Sequence, residues 1–511
     1  MKVGALVQNF AGFPETGRST RACVDFAVQA EEVGFDSVWV TDHIVLPRER
    51  KALYPHNESG TFPYSWQQDI HDPLVLLGAL AQAYQVNPQL NSQRAIVRQT
   101  DEGVPQALSD YRPRVNVTAG LGNQVTSQET VVGPALAKDQ YWTHPRSIGI
   151  TAQQTLFNGF QTANRTRAAE SNVFAARETL RVIEQTVLLD AATVYMDVVR
   201  DAALLEVQRS NVRMLGEILR QTRERFKLGE VTKTDVAQAE AQLAAGQSQM
   251  LGADSTLTTS QATYRRVIGS KPGRLEPGLP VDHLSPRTLV AAIDAGMIAN
   301  PSVTAAMYGV DVARLQVKIA EGALYPTVTL RGNVERAQDV DAIGLIPNQS
   351  SLSVRVGVTI PIYQGGAEYS TIRQSKETLT QRRLDLATTR DQARATVVQV
   401  WGQLRAAQAQ IQAAQEQVRT SEVALKGVRM EAQVGVRTTL DVLIAQQTLV
   451  NARVNLVTAQ RDRVVGSYNL LSAVGRLSPP TLGLPTSIYD PMVHYQQVRD
   501  AWWGVRTPDG Q

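Results

Sequence analysis

The stretch that decides the fold is ATVVQVWGQLRAAQAQIQAAQEQV, residues 395–418. Its apolar side chains Val397, Val400, Leu404, Ala407, Ile411, Ala414 and Val418 step by three and four. That alternation puts all seven on one stripe of an α-helix. The residues between them are mostly Gln, Arg, Ala, Glu and Thr, good helix formers or polar cover. Outward from this stripe, Gln364 to Gly475 contains no proline and a single break, Val434-Gly435-Val436-Arg437-Thr438, after which helical sequence resumes at Leu440-Asp441-Val442. The pattern predicts two long antiparallel helices joined by a tight turn. Gln364 to Gln433 would span about 100 Å at about 1.5 Å per residue. No compact core is that long, so the helix needs partners of similar length.

The pattern occurs twice. Between Pro145 and Pro272 there is again no proline and again one break, Leu228-Gly229-Glu230-Val231-Thr232-Lys233-Thr234-Asp235-Val236. Gly229 matches Gly435, Thr232 matches Thr438 and Asp235 matches Asp441; Gly159 matches Gly365, and Gly269 matches Gly475. Asn87-Pro88 and Asn300-Pro301 each read as a helix start, with Asn capping free amides and Pro in the first turn. A tandem duplication is the expected organisation. It gives a first repeat over 79–275, a second over 287–476 and an irregular C-terminal tail over 477–511.

Apolar content of 43 %, charge of 19 % and a net charge of +3 are ordinary for a folded protein. That charge is too weak to argue for nucleic acid as a partner. Cys23 is the one cysteine, which suits an oxidising envelope compartment. No run of about 18 apolar residues is present, so no transmembrane helix is expected. The opening Met1-Lys2-Val3 lacks the apolar region of a signal peptide.

Residues 1–78 differ in character. Val3 to Phe10, Arg21 to Val33 and Ser37-Val38-Trp39-Val40-Thr41 read as strand, amphipathic helix and strand, one βαβ unit. The wording Val33-Gly34-Phe35-Asp36-Ser37-Val38-Trp39-Val40-Thr41-Asp42-His43 and Asp72-Pro73-Leu74 resembles the start of the luciferase-like monooxygenases. That resemblance implies a flavin or deazaflavin barrel enzyme, with His43 as a cofactor contact. A closed (β/α)₈ barrel needs about 250 residues, so a truncated, non-functional fragment is expected. It would be joined to the rest near Ala79-Leu80-Ala81, replacing the native start and its signal peptide.

Alternating sequence follows each short helical opening. Val115, Val117, Ala119 and Leu121 face one way, with Ile148 and Ile150 on the partner strand. In the second repeat Val328 and Leu330 alternate, as do Leu352, Val354, Val356, Val358, Ile360 and Ile362. Period two over about ten residues is the mark of a membrane-barrel strand. Four strands per chain cannot close a membrane barrel, which starts at about eight. Three chains would supply twelve, and their helices would continue the barrel as a coiled-coil cylinder.

Residues from about 79 to 480 resemble the TolC family of outer-membrane efflux proteins. The marks are the paired Asn-Pro starts, Tyr111-Arg112-Pro113 and Leu324-Tyr325-Pro326, Leu156-Phe157-Asn158-Gly159 with Ile362-Tyr363-Gln364-Gly365, and the two glycine turns. The close, Tyr489-Asp490-Pro491 through Trp502-Trp503-Gly504, resembles type I secretion members. The resemblance implies a mixed α and β chain, four membrane β-strands with long helical hairpins, forming a homotrimer with a twelve-stranded barrel and an α-helical tunnel. It implies an outer-membrane location, contact with outer-membrane lipid, a periplasmic adaptor (membrane fusion) protein and an inner-membrane pump of ABC or RND type. The export duct would have no catalytic residues and no cofactor.

Mapped by the resemblance, the periplasmic gate residues are Arg437 and Asp441 on the second helix pair and Thr234 and Asp235 on the first. A guanidinium can latch neighbouring helices through its fork of donors. Aspartates converging on an axis make a cation-attracting constriction. Ordinary helix capping by Thr and Asp is the competing reading. Two departures from the family stand out: Ile444 where some members place a second acidic ring, and Ala432 where they place a latching tyrosine. Lys233 adds a positive charge beside the first turn. Gly229 and Gly435 are expected to supply positive φ. Tyr111, Trp142, Phe157, Tyr325 and Tyr363 are candidates for interfacial girdles. His144 and His494 have no neighbours at metal-ligand spacing. The alternatives are a flavin- or deazaflavin-dependent oxidoreductase, resting on residues 1–78, and a cytosolic coiled-coil scaffold.

Overall fold

The computed structural model describes residues 4–7, 37–40, 73–132, 135–339, 348–508 and 510. β1 (Gly4–Val7) and β2 (Ser37–Val40) pair in parallel, the arrangement a βαβ unit requires. The expected helix over 21–33 and His43 lie outside the described residues. Helices α1 (Pro73–Val86), α2 (Pro88–Asp101) and α3 (Gly103–Leu108) follow, then strands β3 (Arg114–Leu121), β4 (Gln124–Val132), β5 (Ala135–Thr143) and β6 (Arg146–Asn158). Two long helices come next, α4 (Gln161–Lys227) and α5 (Lys233–Ile268). The chain then runs through α6 (Leu289–Ala299), α7 (Pro301–Gly322), β7 (Thr327–Gln338) and β8 (Asn348–Thr359) to a second long pair, α8 (Ala367–Gln433) and α9 (Thr439–Ala473). Two short helices close it, α10 (Pro479–Leu482) and α11 (Pro491–Val498). The first helix of each long pair has 67 residues.

By contact the chain divides into two compact units, one of residues 1–93, 181–301 and 391–489 and the other of residues 94–180, 302–390 and 490–511.

The described core of the first unit is helical. On the stripe that opened the reading, Val397, Val400, Leu404, Ala407 and Ala414 are buried, and Ile411 and Val418 are half-buried. One cluster gathers Leu215 and Ile218 of α4, Leu425 and Ala432 of α8, and Val442, Leu443 and Leu449 of α9, so both pairs share a core. Truncating one such leucine to alanine costs about 2–5 kcal/mol. Asn87 works as read: its Oδ1 accepts from the amides of Gln89 and Leu90 at the start of α2, while its Nδ2 donates to the Val267 carbonyl at 3.1 Å. Gly475 sits at φ +76°, and a Cβ there would run into the Ala299 carbonyl.

In the second unit, the main sheet has the order β3-β6-β7-β8, antiparallel throughout. Its register sets side chains in rows. Val117, Ile150, Val334 and Leu352 form one row across all four strands, and period two places them on one face. That face is open: Val117 is 68 % exposed and Leu352 77 %. The opposite face carries Asn116, Thr151, Asn333 and Ser353 in a matching row, with Thr151 Oγ1 donating to Asn333 Oδ1 at 3.0 Å. A bulge at Leu156 shifts the β6–β7 register between Thr155 and Phe157.

Three expectations are corrected. The last strand ends at Thr359, short of Ile360 and Ile362, because Pro361 has no N–H for the ladder. A further hairpin, β4 with β5, pairs Val125 with Trp142 and was not foreseen; its Thr126-Ser127-Gln128-Glu129 run lacks apolar alternation. The tail is not irregular: Asp490 Oδ1 accepts from the Met492 amide, and with Pro491 in the first turn it starts α11. Eight residues are too few to show a helical period. Leu289–Gly322 has the length and apolar composition of a membrane span but does not form one continuous helix, in keeping with the expectation of no transmembrane helix. It is broken at Asn300, whose backbone is extended, into α6 and α7.

Inside the second unit α11 is pinned by polar contacts. His494 is buried with its Nδ1 3.1 Å from Asp101 Oδ2, and Asp101 is fully buried. Burial pushes the Asp101 carboxyl above its ordinary pKa, against the opposing pull of His494 and Arg177. Further on, Arg112 donates to the Ala501 carbonyl at 2.6 Å and stacks over Trp502 at 4.7 Å.

Candidate functional site

The two turns that end the long pairs have the same construction. At the end of α4, Gly229 adopts φ +77°, its N–H reaches the Phe226 carbonyl and the Glu230 N–H reaches the Arg225 carbonyl. At the end of α8, Gly435 adopts φ +82°, its N–H reaches the Ala432 carbonyl and the Val436 N–H reaches the Glu431 carbonyl. This nested pair of bonds satisfies carbonyls a helix end leaves free. A Cβ on either glycine would meet nothing within 4 Å, so the positive φ alone asks for glycine.

Each turn then launches its second helix through a capping box. Thr232 Oγ1 accepts from the Asp235 amide at 3.3 Å, and Asp235 Oδ2 accepts from the Thr232 amide at 2.9 Å. Thr438 and Asp441 repeat the box at 3.2 and 2.9 Å. Such reciprocal bonding answers two free amides at once. It holds both carboxyls below the usual carboxylate range. For Asp235 the hydroxyl and then the amide of Thr232 are the cause. For Asp441 the Thr438 amide leads, followed by its hydroxyl, with the charge of Arg437 adding to them.

Of the four residues expected at the gate, Asp235 and Asp441 therefore occupy equivalent places. Thr234 is exposed in the first turn of α5, one residue beyond Lys233. Arg437 turns back along its own pair, Nε to Glu431 Oε2 at 3.0 Å, with both side chains about half exposed. Ala432 is buried and Ile444 exposed.

The bonds that cross between the pairs come from residues other than the four expected at the gate. Arg225 Nη1 reaches the Ala432 carbonyl at 3.5 Å while its Nε holds Glu230 at 3.0 Å. Deeper in, Gln446 Nε2 donates to Asn211 Oδ1 at 3.1 Å, and Arg429 Nη2 donates to Gln446 Oε1 at 3.1 Å. Asn211 is 2 % exposed and Gln446 5 %. Burial draws the Arg429 pKa down from its ordinary value. The partly exposed Gln242 and Gln447 make one further link, at 3.2 Å. A signal for the buried pair did exist. Asn211 lies four residues before Leu215, and Gln446 lies between Val442 and Leu449; each is a polar side chain on an apolar stripe.

Of the girdle candidates, Tyr111, Trp142, Tyr325 and Tyr363 are exposed, and Phe157 packs edge-on against Phe160 at 5.3 Å. His144 Nδ1 sits 2.7 Å from Asn123 Oδ1. Among the described residues no cluster of His, Cys, Asp and Glu could hold a metal ion.

Comparison with known proteins gives this geometry its context. The model of the outer membrane efflux protein family matches residues 79–270 and 294–476. The chain is 40 % identical over 437 residues to the outer membrane efflux protein BepC of Brucella suis, covering 86 % of this chain and 93 % of that one. It is 27 % identical over 408 residues to the outer membrane protein TolC of Vibrio cholerae, covering 78 % and 90 %. In fold it is similar to the outer membrane protein VceC of Vibrio cholerae, with a TM-score of 0.68 at 20 % identity over 78 % of this chain and 96 % of that one. The chain belongs to the outer membrane efflux protein family and is an outer-membrane channel of the kind used in tripartite efflux or type I secretion.

Proposed function

We propose that three copies of this chain pool their four-stranded sheets into one twelve-stranded barrel across the outer membrane. Their long helix pairs would then continue it as a tunnel into the periplasm. The observation that carries the reading is the main sheet itself. It has an exposed apolar face and, at β3 and β8, two outer strands that pair with no third strand among the described residues. Open edges on an apolar sheet are a liability unless something closes them, and in a bilayer closure is obligatory. Lipid covers the face of Val117, Ile150, Val334 and Leu352; the face of Asn116, Thr151, Asn333 and Ser353 lines the lumen. A tandem duplication accounts for the matched turns, caps and helix lengths, and the family model's two matches support it.

The tunnel is a passive conduit, not an enzyme, and needs no cofactor. Residues 1–78 contribute no catalysis to it. A periplasmic adaptor protein and an inner-membrane pump of ABC or RND type supply the cargo, small molecules or proteins. The glycine turns form the mouth. Asp441 and Asp235, ionised at neutral pH and held in that form by their capping bonds, ring it with negative charge, and Thr234 lies beside them. Arg437 exchanges its exposed partner Glu431 for an oxygen of a neighbouring copy, which is feasible because an exposed ion pair contributes only about 0–1 kcal/mol. Within one chain, Arg225 and the Asn211–Gln446 bond hold the pairs together.

Heat-modifiable migration in detergent, together with conductance in planar bilayers, tests the barrel. Asp441→Ala should lower the preference for cations. A water-soluble monomer that leaves a lipid film intact would overturn the reading, and unchanged selectivity would remove Asp441 from the constriction.

A further inference from the structure

We infer that the lumen face of the sheet carries an anion-binding girdle made by Arg114, Arg331 and Arg355. The inference rests on the pooled-barrel reading, which makes this face the wall of a water-filled passage. The register places Arg114 opposite Gln153, Gln153 opposite Arg331, and Arg331 opposite Arg355. One row across four strands thus holds three guanidinium groups and an amide. Period two puts the row on the same face as Asn116, Thr151, Asn333 and Ser353.

The arrangement is unfavourable for a sheet by itself. Arg331 and Arg355 stand directly across one strand boundary, and like charges in that position repel. Adjacent strands lie about 5 Å apart, well inside the Debye length of about 8 Å. Arg114 finds Asp110 at 2.8 Å, but that carboxylate also takes Arg165 at 3.0 Å. No carboxylate among the described residues lies within ion-pair distance of Arg331 or Arg355. In the four strands the acidic residue on this face is Glu335, two rows along β7, about 13 Å from Arg331 at strand rise.

A missing counter-charge facing water is a site for a soluble anion. Guanidinium forks match the paired oxygens of carboxylate and phosphate. Repeated by three copies, the row would surround the passage, and the low-dielectric lipid around the barrel would focus its field. The occupant is an oxyanion-bearing solute passing through the lumen.

The test uses the full-length protein and the double variant Arg331→Gln/Arg355→Gln, in planar bilayers of zwitterionic lipid under a potassium chloride gradient. The expected result is a severalfold rise in the cation-to-anion permeability ratio. Sodium tripolyphosphate added from the barrel side should block the wild-type passage and leave the variant open. Calorimetric titration of the detergent-purified proteins with the same probe reads the girdle without conduction. Binding by wild type that the variant loses upholds it even if the protein never conducts, an outcome that sinks the conduit reading alone. The variant's melting temperature should stay level or rise, since a repulsive pair is removed. An unchanged permeability ratio, equal tripolyphosphate binding by both proteins, or no binding by wild type overturns the girdle.

Discussion

Replacing Asn211 by alanine is the most direct probe of what holds the helix pairs together. Asn211 Oδ1 accepts from Gln446 Nε2 at 3.1 Å, joining α4 to α9 where neither side chain meets solvent. Alanine leaves the Gln446 NH₂ buried without this acceptor, while Gln446 Oε1 keeps its bond from Arg429. An orphaned buried donor costs about 1–3 kcal/mol. If the pairs part when the mouth opens, the bond exists only in the shut state. Its loss then shifts the shut-to-open equilibrium by that same energy, about 5–150-fold. Single-channel open probability in planar bilayers reads the shift. Gln242→Ala is the control, because water can replace its partly exposed bond to Gln447; its effect should stay below about fivefold. The double variant Asn211→Ala/Gln446→Leu should recover part of the shut population, since the unpaired Gln446 NH₂ is removed, and the half-buried Arg429, which loses Gln446 Oε1, can bond to water instead. An Asn211→Ala channel that opens no more often than wild type, or no more often than Gln242→Ala, would refute the reasoning.

The capping carboxylates give a pH prediction with a definite sign. Asp235 and Asp441 have lowered pKa values in the folded chain. Their stabilisation is therefore complete above the unfolded carboxylate pKa of about 4 and lost as pH falls through the lowered values. Amide protection at the Gly229 and Gly435 turns, taken relative to the intrinsic exchange rate at each pH, should fall below about pH 4 and stay level between about pH 5 and 7. Gly159→Ala should be far more damaging than Gly435→Ala in thermal melts. Both glycines have positive φ, but only at Gly159 would a Cβ collide with the Gly322 carbonyl and Tyr325; Gly435→Ala should cost about 1 kcal/mol. His494→Ala removes the hydrogen-bonding partner of the buried Asp101 carboxylate. It should speed trypsin cleavage at Arg499 about tenfold, since cleavage follows the population of the open tail.

What could be read from the sequence divides by the range over which each signal is written. The buried stripe from Val397 to Ala414 repeats over many turns, so its helical period stands above local noise. The row Val117, Ile150, Val334 and Leu352 was visible strand by strand as alternation, although only pairing could bring the four together. The hairpin β4–β5 and helix α11 were missed for a common reason. One lacks an apolar face and the other is eight residues long, so neither displays a period. Proline at 361 was in plain view. Alternation runs past it through Ile360 and Ile362, yet the absent N–H ends the ladder.

The site divides differently. Helix termini are specified locally, and Thr232 with Asp235, or Thr438 with Asp441, needs only three residues of separation to form its box. The cross-pair bonds join residues 235 positions apart for Asn211 and Gln446, and 207 for Arg225 and Ala432. A single sequence encodes such a pair only as a polar residue on an apolar stripe, and that mark identifies one partner without pointing to the other. Arg437 illustrates the converse. Its position beside the turn was legible, but the direction a long exposed side chain takes is set by nearby charge, and in one chain Glu431 is near. The pairing of Arg331 with Arg355 belongs to the same class. Each arginine alone is an unremarkable polar residue on an alternating strand. Only the register, Arg331 directly across from Arg355, turns two ordinary charges into a repulsive pair, and a repulsive pair without a carboxylate is what asks for an anion from outside the chain.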